Sequence, residues 1–194
     1  MFETRLESWV NEMYAAKGIT AVEDLSIEGM CEVFDIHIVP TKYRSKAVYE
    51  DDCAIIFLKE NMPIEYRRKD FFHELGHIFQ HVGDQRDIPF GLKRLQEEQV
   101  FWFSLYASMP EPLIRQYDNI HEASRAFELP ILIVKDRLQQ LRRKDMQVQS
   151  YVSNQKKSRR TSYDPDKWTS ETWRIMNKLK KQTGQEVIDY ESLL

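Results

Sequence analysis

Between Phe2 and Gly18 the apolar residues Phe2, Leu6, Trp9, Val10 and Met13 recur at helical spacing, and Gly18 offers a C-cap, so a first helix is expected. "TAVEDLSIEGMCEVFDI" repeats the pattern less cleanly and predicts a second helix over about 25–34. At "FDIHIVP" the period changes to two, and "CAIIFLKE", rich in apolar and β-branched residues, predicts another strand. "TKYRSKAVYEDD" between them is polar enough for a turn or a short third strand. "MPIEYRRKDFFHELGHIFQHVG" then has Pro63 near a helix start and Gly83 at its end, a helix of about 16 to 19 residues. After the polar connection "GDQRDIPFG", "LKRLQEEQVFWFSLYASMPEP" predicts a further helix ended at Pro110. Beyond Pro112, "LIRQYDNIHEASRAFELPILIVKDRLQQLRRK" reads as two or three helices. "VQSYVSNQKKSRRTSYDPDKWTSETW" is polar and loop-like up to Pro165. "DKWTSETWRIMNKLKKQ" suggests a short amphipathic helix with Trp168, Trp173, Ile175 and Leu179 available for packing. The fold class is α+β, a small N-terminal sheet among helices followed by a helical C-terminal region.

Composition narrows this picture. With 194 residues, 42% of them hydrophobic, the chain has enough apolar material for one packed domain with a small appendage. No stretch approaches the ~20 apolar residues of a membrane span. The start lacks the charged beginning and apolar core of a signal peptide, so a soluble, cytoplasmic protein is expected. Cys31 and Cys53 are too few for a disulfide framework and are expected to be reduced. The net charge of -3 hides an asymmetry: from Lys135 to Lys181 fourteen Lys and Arg stand against five Asp and Glu. The plain reading is a solvated extension; the sharper one is a surface for nucleic acid or an acidic partner.

The chemistry is concentrated in "DFFHELGHIFQHVG". His73 and His77 are four apart, so on a helix both imidazoles leave one face about a turn apart, close enough to share a tetrahedral ion. Glu74 beside them faces the water on the open position and accepts its proton. His81 is set aside, because at ~1.5 Å per residue it lies about 12 Å from His73 along the axis. The longer metzincin signature is excluded, since Gln80 and Gly83 stand where it needs Gly and His. A third ligand must come from the next helix, where Glu97 and Glu98 stand early. Helical phase favours Glu97, which shares a face with Val100, Phe101, Ser104 and Ser108; Glu98, beside Trp102, Leu105 and Met109, is the alternative. His121, Tyr106 and Tyr117 are candidates for stabilising an oxyanion, and nothing in the spacing selects among them.

The order of "AIIFLKEN", "RRKDFFHELGH", a connection and "EEQVFWFSLYASMP" resembles the ImmA/IrrE family of metallopeptidases, over about residues 5 to 140. Glu97, Val100, Phe103, Ser104 and Met109-Pro110 occupy places of that family's second helix, with Val100 and Ser104 replacing the usual alanines. The resemblance implies a zincin-like, gluzincin-like endopeptidase in which His73, His77 and Glu97 bind zinc and Glu74 is the catalytic base. It implies as substrate a helix-turn-helix repressor, whose cleavage relieves repression of a phage, mobile-element or stress regulon. "CAIIFLKE" then suggests itself as an edge strand for an extended substrate, or as an ordinary core strand. "HEASRAFELPILIVKDRLQQL" resembles the small helix-turn-helix-like element of many members; the need to bury Ile131, Leu132, Val134 and Leu138 favours packing on the protease body over DNA binding. The expected divisions are a metallopeptidase domain at 1–112, a helical subdomain at 113–148 and a basic extension at 149–194. The rival reading is a non-cleaving antirepressor or transcriptional regulator that binds repressor or DNA through the C-terminal region.

Overall fold

The computed structural model of the protein describes residues 4–50, 53–80, 90–160 and 167–183. The chain divides into two compact units, Met1–Val148 and Gln149–Leu194. Helix α1, Arg5–Ala16, begins at Thr4, whose hydroxyl accepts the Glu7 N–H, and Gly18 follows its end with φ +74°. A 3-10 turn, Glu23–Leu25, leads into α2, Ile27–Phe34, capped by the Ser26 hydroxyl. Asp35 closes it in the left-handed region, and the chain turns at once into β1, Ile36–Thr41. The polar stretch between the two expected strands is itself a strand, β2, Lys46–Glu50, followed by β3, Cys53–Lys59.

Strand order is β1-β3-β2. β3 pairs parallel with β1, Ile36 opposite Ala54, and antiparallel with β2, Ala47 opposite Ile56. β3 is therefore the central strand, which selects the core-strand reading over the substrate-pairing edge: both of its backbone sides are taken, and β1 and β2 hold the edges. Its alternate residues Ala54, Ile56 and Leu58 are buried, and helix α3, Ile64–Gln80, packs on the sheet with Phe71, Phe72 and Leu75 fully buried. Pro63 precedes α3, as expected; His81 and Gly83 lie outside the described residues.

Helix α4, Phe90–Ser108, ends just before Pro110. Trp9, Phe34, Phe79 and Phe103 form an aromatic cluster with ring centroids 5.1 to 6.1 Å apart, joining α1, α2, α3 and α4 beside the HExxH segment. Short helices α5, Glu111–Ile114, and α6, Ile120–Phe127, follow, and then α7, Ile131–Arg160. Leu113, Ile114, Ala123, Phe127, Leu129, Val134 and Leu141 belong to the same core as the sheet and α3, so the segment from Leu113 to Leu141 is packed on the body. The burial expected at 131–138 is only partial: Val134 is buried, but Ile131 and Leu132 are exposed.

The basic segment is less of a solvated extension than its composition suggests. Arg137 is fully buried, and Lys144 is also drawn into the body's ionic contacts. The stretch after residue 148, read as loop, is helical as far as Arg160; it has no Gly or Pro and is rich in Gln, Lys and Arg, which tolerate a helix without an apolar stripe. In the second unit, α8, Ser170–Thr183, stands close to the expected amphipathic helix, with Trp168 and Trp173 in edge contact. Among the described residues no helix is long and apolar enough to cross a membrane.

Candidate metal centre

α3 puts Phe71, Phe72 and Leu75 into the core and leaves His73 and His77 half-buried on the side that meets α4. Their Nε2 atoms are 3.3 Å apart, with the rings nearly perpendicular. From α4, the Glu97 carboxylate reaches both: Oε2 is 3.5 Å from His73 Nε2 and Oε1 is 3.9 Å from His77 Nε2. One ligand atom from each of these three residues lies within 4.8 Å of the others, the one such group among the described residues. Glu98, one residue on, is exposed and outside it.

The donor set fits a tetrahedral ion. Two ligands each about 2.05 Å from a tetrahedral centre stand roughly 3.3 Å from each other; the two ring nitrogens already have that separation, and the Glu97 carboxylate, with one oxygen 3.5 Å from His73 and the other 3.9 Å from His77, needs only a small movement to join them. Two imidazoles and one carboxylate leave a fourth position for water or substrate. Burial pushes the His73 imidazole below its ordinary pKa, toward the neutral form whose lone pair a ligand must offer.

Glu97 reaches the histidines because α3 and α4 are close, and Gly76 makes them so. A methyl group at Gly76 would lie 3.0 Å from Val100 Cγ1 and 3.1 Å from Phe103 Cδ1, with the Val100 carbonyl at 3.4 Å. Val100 and Phe103 are fully buried in that seam. The face assigned to Glu97 from helical phase is thus only partly inward: Val100 and Ser108 are buried, whereas Phe101 is 45% exposed. Gly76 is the residue the sequence reading missed. Its signal was present, since a glycine in mid-helix costs about 1 kcal/mol against alanine and asks for a packing reason.

Glu74 lies at the other side of the histidine pair, beneath β2. It is only 7% exposed, and burial pushes its carboxyl up to about 7, a rise tempered by a hydrogen bond from the Ala47 N–H. A carboxyl with that value exchanges protons near neutrality. In front of it opens a pocket of about 110 Å³ lined by Arg44, Ser45, Lys69, Asp70, His73 and Glu74.

The three oxyanion candidates stand elsewhere or in structural contacts. Tyr106 is buried, accepts a hydrogen bond from the Gln140 amide at 3.0 Å and lies under the Arg137 guanidinium. It is also nine residues beyond Glu97 on α4, roughly 13 Å along the axis. Tyr117 packs edge-on against Phe127, and His121 is exposed in the first turn of α6.

Residues 31–139 match the model of a peptidase family described as the IrrE N-terminal-like domain. The chain is 26% identical over 125 residues to the uncharacterized protein YqaB of Bacillus subtilis (strain 168), covering 64% of this chain and 73% of that protein. It is 26% identical over 115 residues to the phage-like element PBSX protein XkdA of the same organism, covering 59% of this chain and 58% of XkdA. The family match spans more than half of the chain and both helices α3 and α4, and its mixed α+β, zincin-like fold is the one described above; the chain belongs to the ImmA/IrrE family of metallopeptidases.

Proposed function

We propose that the protein is a zinc-dependent endopeptidase that cuts an intracellular helix-turn-helix repressor and so relieves repression of a phage, mobile-element or stress regulon. One observation carries the reading: two imidazoles and a carboxylate from two helices converge within 4.8 Å, with a buried glutamate next to the first histidine. His73, His77 and Glu97 hold the ion. Zinc, when bound, supplies Lewis acidity and an acidified water.

The remaining work falls to the chain. Glu74 accepts a proton at its carboxylate from the attacking water and passes it to the departing amine nitrogen. The Ala47 N–H and the buried surroundings hold that carboxylate in one orientation, so little reorganisation accompanies the transfer. The edge beside the site belongs to β2, along which an extended substrate segment adds as a further strand. The phage-element relative supports the regulatory setting.

Metal analysis of the purified protein, together with cleavage of a helix-turn-helix repressor encoded beside it, tests the reading. Zinc retained by wild type and Glu74→Gln alike, with cleavage only by wild type, is the expected result. Cleavage that persists in Glu74→Gln overturns the assigned mechanism. Repressor binding without cleavage, salt-sensitive and unaffected by His73→Ala, favours a non-cleaving antirepressor instead.

A further inference from the structure

The pocket in front of Glu74 is built from cations that the peptidase reading does not use. The loop between β1 and β2 and the start of β2 read "TKYRSK", and Arg44 lines the pocket while Lys42 and Lys46 flank it in sequence. Lys69 approaches from α3, its side chain 48% exposed. Of the two carboxylates in the pocket besides these cations, Asp70 accepts a hydrogen bond from the Ser45 hydroxyl at 3.0 Å and lies 3.9 Å from the Lys69 ammonium, and Glu74 accepts the Ala47 N–H. Ser45 is itself fixed, since its oxygen accepts the Lys59 N–H at 3.1 Å and it is buried. Arg44, by contrast, makes no hydrogen bond or ion pair among the described residues, although its charge is felt at both His73 and Glu74. Two cations thus share the pocket with two carboxylates, Asp70 held by the Ser45 hydroxyl and Glu74 by the Ala47 N–H, and the Arg44 guanidinium fork is placed to meet a planar anion.

The location gives this charge a use. The pocket shares His73 and Glu74 with the reacting centre and adjoins the first residues of the β2 edge. An extended segment laid along β2 turns alternate side chains to opposite faces, so one side chain close to the bond being cut is offered to the pocket. The space suits the end of one acidic side chain. We infer that Arg44 and Lys69 form a specificity subsite that takes an Asp or Glu side chain of the substrate next to the scissile bond. The inference rests on the endopeptidase reading for its setting, but the subsite is defined by binding and can be tested apart from cleavage.

The probe is a displayed library of short unstructured peptides, captured by zinc-loaded Glu74→Gln protein and, in parallel, by the same protein carrying Arg44→Glu and Lys69→Glu. Both added substitutions are at exposed positions, and far-UV circular dichroism checks that the fold is kept. The expected result is enrichment of Asp and Glu at one peptide position, about tenfold or more as for hydrogen bonds to a charged group, weakened by salt. The charge-reversed protein is expected to enrich Lys and Arg at that same position. No acidic enrichment, no peptide captured at all, or an acidic preference unchanged by charge reversal overturns the subsite. Failure of the endopeptidase reading has a separate signature, namely uncut repressor with wild type, and it leaves the enrichment result readable.

Discussion

Two clusters of carboxylates and cations stand in the same unit of this protein and have been put to opposite uses. At the junction of α1, α4, α5 and α7, Glu7 is 1% exposed and meets the fully buried Arg137 at 2.6 Å and Lys144 at 3.3 Å. Arg137 also donates to the Met109 carbonyl at 3.1 Å and to the Gln140 side chain, while Lys144 and Arg115 both bind Glu111, and Arg115 forks onto Asp145. Opposite charges and donor–acceptor partners match throughout this cluster. At the candidate metal centre, two ring nitrogens and a carboxylate converge within 4.8 Å of one another, and the neighbouring Arg44 has no ion pair among the described residues. The difference teaches how to tell structure from chemistry: a satisfied network is closed, whereas a functional one leaves lone pairs or cations pointed at a place where something else belongs.

The comparison can be broken from either side. The largest effect is expected for Glu74→Gln, with repressor cleavage falling about 10²–10⁴-fold, as for loss of a general base, while zinc content and the urea midpoint stay near wild type. The closed network responds in stability instead. Arg137→Met removes a buried charge but keeps bulk, leaving Glu7 short of its closest partner, and should cost about 3–5 kcal/mol by urea unfolding. The double change Glu7→Gln with Arg137→Met should recover part of that loss, because no charge then stands isolated at the centre; full persistence of the loss would make the network's worth one of shape rather than charge.

Smaller effects sharpen the contrast. Gly76→Ala pushes a methyl group against Val100 and Phe103, at an overpacking cost of about 1–3 kcal/mol, partly offset by about 1 kcal/mol of helix propensity. Stability should therefore change little, while displacement of α4 carries Glu97 from the histidines and weakens zinc binding about 10–100-fold in a competitive titration. An unaltered zinc affinity would mean that the seam does not set the ligand geometry. At the exposed rim of the closed network, Asp145→Asn should cost under about 1 kcal/mol, since both partners are open to solvent and salt. The hydrogen bonds from Arg115 hold the Asp145 carboxyl below its ordinary value of 3.8. Its contribution is therefore present above that value and is lost as pH falls through the lower, folded value, so wild type and Asp145→Asn should converge in acid unfolding curves.

How much of this was readable in the chain depends on the range of the interactions concerned. His73, Glu74 and His77 lie within five residues of one helix, so the common face of the two histidines and the place of Glu74 beside it follow from helical geometry alone. Glu97 was favoured over Glu98 by helical phase, but phase alone kept both in play, because the outcome depends on how α4 is rotated against α3, where Gly76 packs on Val100 and Phe103. The place of β3 in the sheet was left open between edge and core for the same reason. The apolar pattern of β3 states that it is buried, but whether it lies at an edge depends on where β1 and β2 pair, and β2 itself was too polar to be distinguished from a turn. The helix from Ile131 to Arg160 was shortened to its apolar part because periodicity vanishes where no face is buried, even though the composition still permits a helix.

By itself, the sequence determined most of the helices, the paired histidines with the glutamate beside the first, and the family, since all of these rest on contacts a few residues apart or on motifs of fixed spacing. Only the tertiary structure decided that Glu97 and not Glu98 joins the histidines, that β3 is central in the sheet, that Arg137 is buried against Glu7 some 130 residues away, and that Arg44 and Lys69 line the pocket in front of Glu74. The physical reason is common to all four. Each depends on the close approach of segments distant in the chain, set by packing volume at seams such as Gly76 and by the pairing of buried charges, and neither leaves a periodic trace in the local order of residues.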